Sequence, residues 1–193
     1  MNKQRLSITV ILCAILLAAP ARADIQFSTV GILAAESVNH VSGMHQYGVV
    51  LKYRVDSQST SFWVPSTLDV TAGLLEGGSD SASLVSFGPS YRFDMRKSEA
   101  GRWFVDFGVH PTLLSKSTFD GRHLGGSFHF TSHVGLGAYL GRQKKTSLSL
   151  RLQHTSNAGL NRSNPGLDML GLRFSYHFGS GQQLLSATET TQK

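Results

Sequence analysis

Cysteine is nearly missing from this 193-residue chain: the single copy, Cys13, lies in an N-terminal apolar stretch. Beyond that stretch the sequence therefore offers no disulfide framework, no thiol nucleophile and no thiolate metal site. Long apolar runs are missing as well. None reaches the roughly 20 residues that a helix needs to cross a bilayer. Charge is sparse, at 16% of residues, and the formal net charge of +6 includes Lys3, Arg5 and Arg22 of the leader. Without them 15 Lys and Arg face 12 Asp and Glu, a near balance that supplies no basic face for nucleic acid. Apolar stripes with a period of 3.6 are also lacking, yet 40% of residues are hydrophobic, too many for a disordered chain. The class that survives these exclusions is β-structure.

What is present begins with Lys3 and Arg5 ahead of an apolar run over 6–19, closed by Ala21-Arg22-Ala23. A basic start, a short apolar segment and a small-x-small site predict a secretory signal peptide over 1–23. Cleavage there leaves 170 residues from Asp24, enough for one domain.

Apolar and polar residues then alternate with a period of two, the mark of a strand with one apolar face. Eight such stretches are predicted, over 25–34, 45–53, 62–74, 84–93, 103–113, 128–140, 146–156 and 167–178. Turn-rich or charged connections such as Glu76-Gly77-Gly78-Ser79-Asp80 and Gly141-Arg142-Gln143-Lys144-Lys145 separate them. Their length suits strands tilted across a bilayer, and their polar faces, rich in Gly, Ser, Thr and His, suit a narrow barrel interior. The last stretch places Leu170, Leu172, Phe174, Tyr176 and Phe178 at every second position, and resembles the C-terminal strand of outer-membrane barrels. The expectation is all-β: an eight-stranded antiparallel up-and-down transmembrane β-barrel over 24–178, multi-pass in the bacterial outer membrane. A polar tail over 179–193 follows, with no role assigned. With both ends periplasmic, the connections after strands one, three, five and seven face outward and are expected to be mostly the longer ones. Trp63, Trp103, Tyr47, Tyr53 and Tyr91 fit interface girdles.

Parity raises a chemical question. Leu148, Leu150 and Leu152 point to lipid, and the same positions continue with His154 and Ser156. Leu170, Leu172 and Phe174 do likewise, and their parity runs back to Asp168. Polar groups facing hydrocarbon are costly unless paired. Residues i and i+2 of a strand share one face, and a hairpin turning near Asn161 sets Asp168 opposite His154. One hairpin can thus assemble Ser156 as nucleophile, His154 as general base and Asp168 as its orienting acid. Asn157, Asn164 and the N–H groups of Ala158 and Gly159 are candidates for an oxyanion site, and the two asparagines serve equally well as turn formers. A nucleophile on the outside of a barrel at outer-leaflet depth reaches only lipid, so acyl transfer from a lipid ester is the expected reaction.

At His154-Thr155-Ser156-Asn157-Ala158-Gly159-Leu160, Asn164 and Asp168 the chain resembles the lipid A 3-O-deacylase family. The resemblance implies hydrolysis of the 3-O-linked acyl ester of lipid A, the catalytic roles above, an oxyanion hole from nearby Asn and backbone groups, and no metal or organic cofactor. It also implies lipid A or lipopolysaccharide as substrate, with a homodimer as an assembly left open. Asp168 stands where the family carries Glu; one methylene shorter, it must sit closer to His154 or bridge through water.

Other readings fit some of these residues. His129, His133 and His110 share the polar side, as a metal site would require, although interior histidines more commonly bond Ser, Thr or water. Arg122 and Arg162 suit lipid phosphates or plain loop solubility. Against the deacylase stand a non-catalytic structural or adhesion barrel, an outer-membrane phospholipid esterase, and a periplasmic barrel with its apolar face inward around a ligand.

Overall fold

The computed structural model describes residues 24–38, 43–56, 64–95 and 102–178. The leader, the tail, Phe62 and Trp63 lie outside the described residues. Among the described residues ten strands occur: β1 (Asp24–Ser37), β2 (Met44–Asp56), β3 (Thr67–Gly77), β4 (Asp80–Asp94), β5 (Trp103–Leu114), β6 (Thr118–Phe119), β7 (Arg122–His123), β8 (Phe128–Leu140), β9 (Thr146–Ser156) and β10 (Leu167–His177). Eight of them close into an antiparallel barrel in the order β1-β10-β9-β8-β5-β4-β3-β2, while β6 and β7 form a separate small ribbon. The last strand seals the barrel against the first, from Thr29 opposite His177 to Ser37 opposite Met169.

The alternation is what makes this closure work. Outward positions form an apolar belt that includes Ile32, Phe87, Leu136, Leu150, Leu172 and Phe174, all exposed. Inward positions hold Lys52, Asp69, Asp106, Arg151, Gln153 and Arg173, all buried. A ligand-binding barrel with an apolar interior has the opposite polarity, so that reading is excluded. Near the end of the barrel where the chain leaves it, Phe27, Tyr53, Tyr176 and Phe178 form a chain of tilted and edge-on ring contacts with centroids 4.9–5.6 Å apart. Such an exterior aromatic cluster fits a membrane–water boundary.

The interior has two levels. Toward the rim that carries the 115–127 and 157–166 connections, Phe119 of the ribbon and Leu124 just after it pack with Met44, Leu75, Leu84, Leu114 and Met169 into an apolar plug. Burying Phe119 alone contributes on the order of 2 kcal/mol. Beneath the plug lie ion pairs: Lys52 Nζ to Asp69 Oδ2 at 2.6 Å, Arg92 to Asp106 at 3.4 Å, and Arg173 to Asp106. Ser90 and Thr67 hydroxyls donate to Asp69 at 2.8 and 2.6 Å, which supplies the further hydrogen bonds that a buried charge requires.

Three expectations need correction. The third strand starts at Thr67 rather than 62, because Pro65 has no N–H for the ladder, and it runs on to Gly77. The connection expected around 76–80 shrinks to the two residues Gly78 and Ser79, with Gly77 paired to Asp80 and Gly78 at φ +60°, as a Gly-first hairpin turn allows. One connection expected among the longer ones is therefore the shortest. The β6–β7 ribbon inside the 115–127 connection was not anticipated, since two-residue strands carry no readable period.

Candidate active site on the outer face of the β9–β10 hairpin

Antiparallel pairing of β9 and β10 sets Asp168 opposite His154. Both side chains project outward, and His154 Nδ1 meets Asp168 Oδ1 at 2.6 Å, the short distance of a charge-assisted bond. The pair is open, with side-chain exposures of 50% and 42%. With Nδ1 bound to the carboxylate, Nε2 is the imidazole nitrogen left for chemistry. Gly166 backs the ring: at φ +69°, a Cβ there would stand 3.0 Å from His154 Cε1, so a side chain would both strain the backbone and crowd the imidazole.

Ser156 follows at the end of β9, two residues along on the same outward side and opposite Phe130 of β8. Among the described residues no hydrogen bond joins its Oγ to His154. The strand rise places the two positions about 6.6 Å apart, and such bonds commonly tighten only when substrate is held.

The chain then enters a tight loop. Leu160 N donates to Asn157 O at 3.0 Å, and the two residues enclosed, Ala158 and Gly159, both have left-handed backbone at φ +52° and +77°. That is the pattern of a primed turn, and for Ala158 it costs on the order of 1–2 kcal/mol. Asn157 is fully buried and organises the loop. Its Nδ2 donates to Gly125 O at 2.9 Å and Ser163 O at 2.7 Å, and its Oδ1 accepts from Gly159 N at 2.9 Å. Asn164 Oδ1 accepts from Asn157 N at 3.1 Å. Two of the candidate oxyanion donors, the Asn157 amide and Gly159 N–H, are thus already engaged, as is the Asn157 backbone N–H. Ala158 N–H and Asn164 Nδ2 have no hydrogen-bond partner among the described residues.

Sequence reasoning missed Gly125, Asn161, Ser163 and Gly166. Only the Gly125-Gly126 pair and the Pro165-Gly166 turn signal offered a trace of them.

An open groove of about 550 Å³ runs along the outer wall beside the pair, lined by Val38, Ser132, Val134, Leu152, His154 and Asp168 among others. Of the interior histidines, His133 borders the groove, while the other two are bonded elsewhere. His110 shares a hydrogen bond with Ser90 Oγ at 3.2 Å, and His129 Nε2 with Gly126 O at 2.7 Å. No cluster of three or more His, Cys, Asp or Glu suited to a metal occurs among the described residues. Arg162 is exposed on the 157–166 connection, and Arg122 lies in β7.

Comparison with known proteins bears on this geometry. Residues 45–177 match the family described as lipid A 3-O-deacylase (PagL). A Bordetella bronchiseptica protein named lipid A deacylase PagL is 36% identical over 77 residues, 40% of this chain and 42% of that protein. The chain thus spans less than half the length of that relative. A Pseudomonas aeruginosa protein of the same name is 28% identical over 149 residues, covering 73% of this chain and 82% of its own. The crystal structure of the outer membrane enzyme PagL superimposes with a TM-score of 0.59 at 21% identity, over 76% of this chain and 98% of that one, and so shares the fold. Closed antiparallel barrels with apolar outer walls are the spanning structures of the bacterial outer membrane, and this barrel crosses it with eight strands. By its matched segment and its architecture, the chain belongs to the lipid A 3-O-deacylase family.

Proposed function

We propose that the protein is a serine esterase that removes the 3-O-linked acyl chain of lipid A from the outer leaflet. The observation that carries this reading is the open His154–Asp168 pair at 2.6 Å on the lipid-facing side, two residues from Ser156, in a member of this family.

Asp168 fixes the imidazole with Nε2 unprotonated and stabilises the imidazolium that forms. Ser156 Oγ attacks the ester carbonyl carbon while His154 Nε2 takes the hydroxyl proton. The oxyanion of the tetrahedral intermediate meets Ala158 N–H and the Asn164 amide, the donors left over by the loop's own bonding; the left-handed backbone at Ala158 is strain of the kind stored at functional sites. Collapse breaks the ester C–O bond, and His154 returns its proton to the departing sugar hydroxyl. Water, deprotonated by His154, then attacks the acyl-enzyme, releasing the fatty acid and restoring Ser156. The groove along Val134 and Leu152 suits the acyl chain, since apolar wall and bilayer together keep it out of water. These steps use the chain's own side chains and backbone and water, with no metal or organic cofactor.

The test is mass spectrometry of lipid A from a Gram-negative host expressing this chain or its Ser156→Ala variant, each verified as folded in the outer membrane. Loss of one ester-linked 3-hydroxyacyl group with the wild type alone is the expected result. Identical lipid A profiles would sink the proposal, and lysophospholipid released by the wild type would redirect it to phospholipid.

A further inference from the structure

The loop after Ser156 is not shaped by its own hairpin alone. Gly125, in the connection between β5 and β8, lends its carbonyl to two side-chain amides of that loop: Asn157 Nδ2 at 2.9 Å and Asn161 Nδ2. A further bond runs the same way, from Ser163 Oγ to His123 O at 3.1 Å. The connection is a firm base for them. Leu124 and Phe119 are buried in the apolar plug, Leu124 N donates to Ser117 O at 2.7 Å, Gly125 N donates to His123 Nδ1 at 2.9 Å, and His129 Nε2 to Gly126 O at 2.7 Å.

We propose, on the footing of the esterase reading above, that the β5–β8 connection templates the reactive loop and that Gly125 is its positioning residue. Asn157 sits between the nucleophile and Ala158, so any shift of its side chain moves both Ser156 and the Ala158 N–H. With its amide shared between Gly125 O and Ser163 O, and its carbonyl oxygen holding Gly159 N, Asn157 has one arrangement, and Gly125 sets it. The glycine itself is required. Its φ is +90°, and a Cβ there would run into Ser163 O and Asn157 Nδ2. Oxyanion donors must lie within a few tenths of an ångström of their place, and misplacement by about 1 Å costs on the order of 100-fold in rate.

The experiment uses the full-length barrel in detergent micelles, wild type, Gly125→Ala and Asn161→Ala. Four quantities are read: heat-modifiable gel mobility, kcat and KM on lipid A in mixed micelles, and the rate of Ser156 labelling by a fluorophosphonate. Gly125→Ala is expected to keep its folded mobility and its KM within about twofold, and to lose about 100-fold in both kcat and labelling rate. Asn161→Ala, which removes one neutral hydrogen bond, is expected to lose about 2- to 10-fold in the same two rates. Wild-type kcat and labelling in a folded Gly125→Ala protein would overturn the templating role, as would a loss confined to KM. If Gly125→Ala does not fold, Asn161→Ala decides, and wild-type rates there overturn the role. A wild type that neither takes the label nor deacylates lipid A defeats the esterase reading itself.

Discussion

Two acid–base pairs in the barrel wall have similar contacts and opposite settings. Inside, Lys52 Nζ lies 2.6 Å from Asp69, with side-chain exposures of 3% and 1%. Outside, His154 lies 2.6 Å from Asp168, with half of the imidazole and two fifths of the carboxylate exposed. The inner charges are met from several directions: Asp69 also accepts from Thr67 and Ser90, and Asp106 takes Arg173 and Arg92. No acyl ester can reach them, and removing one partner strands a buried charge. The outer pair is open, and its bond leaves the other imidazole nitrogen, Nε2, uncommitted to the carboxylate. Its histidine can be neutral, so opening it strands nothing. On the esterase reading, the enclosed pair serves stability and the uncovered one reactivity, which makes the two functions separable by mutation.

The largest expected separation is Ser156→Ala, which should cut deacylation at least about 10⁴-fold and leave the denaturation midpoint of the folded band unchanged. A parallel drop in stability would mean that Ser156 is a structural loop root. Next, Asp168→Asn keeps the shape and removes the charge that selects the imidazole tautomer. Its expected loss is about 10³-fold in kcat, again at constant stability, by the same assay. From the inner set, Asp106→Ala should show the reverse. Stranding Arg173 is expected to cost about 3–5 kcal/mol, read as a lower urea midpoint of the heat-modifiable band, while kcat per folded molecule holds. Loss of activity without loss of stability there would erase the distinction between inner and outer pairs.

The sequence made the outer pair more legible than its surroundings, for a physical reason. His154 and Asp168 are related by strand parity and by the midpoint of their connection, both local quantities, and the structure pairs them. The strands 128–140 and 146–156 were readable to the residue for the same reason. Asn157 was not readable in the same way. A buried Asn bonded to Gly125 and an Asn forming its own turn look identical in sequence, because the deciding carbonyl lies 32 residues away. The ion pairs were equally hidden: alternation shows that Lys52, Asp69, Asp106 and Arg173 face inward, but not which cation meets which acid, since barrel register and side-chain reach decide that. Pro65 and Gly78 moved the ends of β3 and β4 by local backbone chemistry that outweighed the apolar pattern.

The smallest effect sharpens the outer pair most. Asp168 occupies the place where the family resemblance leads one to expect Glu, and the shorter acid still reaches His154 Nδ1 directly at 2.6 Å, because the register sets the two residues opposite each other. Neither a bridging water nor a shift of the strand is needed. Asp168→Glu must then fold an extra methylene into a gap already closed. Bending the longer side chain off its preferred rotamers costs about 0.5–1.5 kcal/mol, which predicts a loss of about 2- to 10-fold in kcat with KM unchanged. Measured beside Asp168→Asn, the two variants distinguish reach from charge. If Glu loses little and Asn loses much, the carboxylate charge is what the imidazole needs, and the pair tolerates some freedom in where the acid is rooted. A gain in kcat with Glu would show instead that the 2.6 Å contact holds the imidazole turned away from Ser156, and that the longer acid frees it to swing toward the nucleophile.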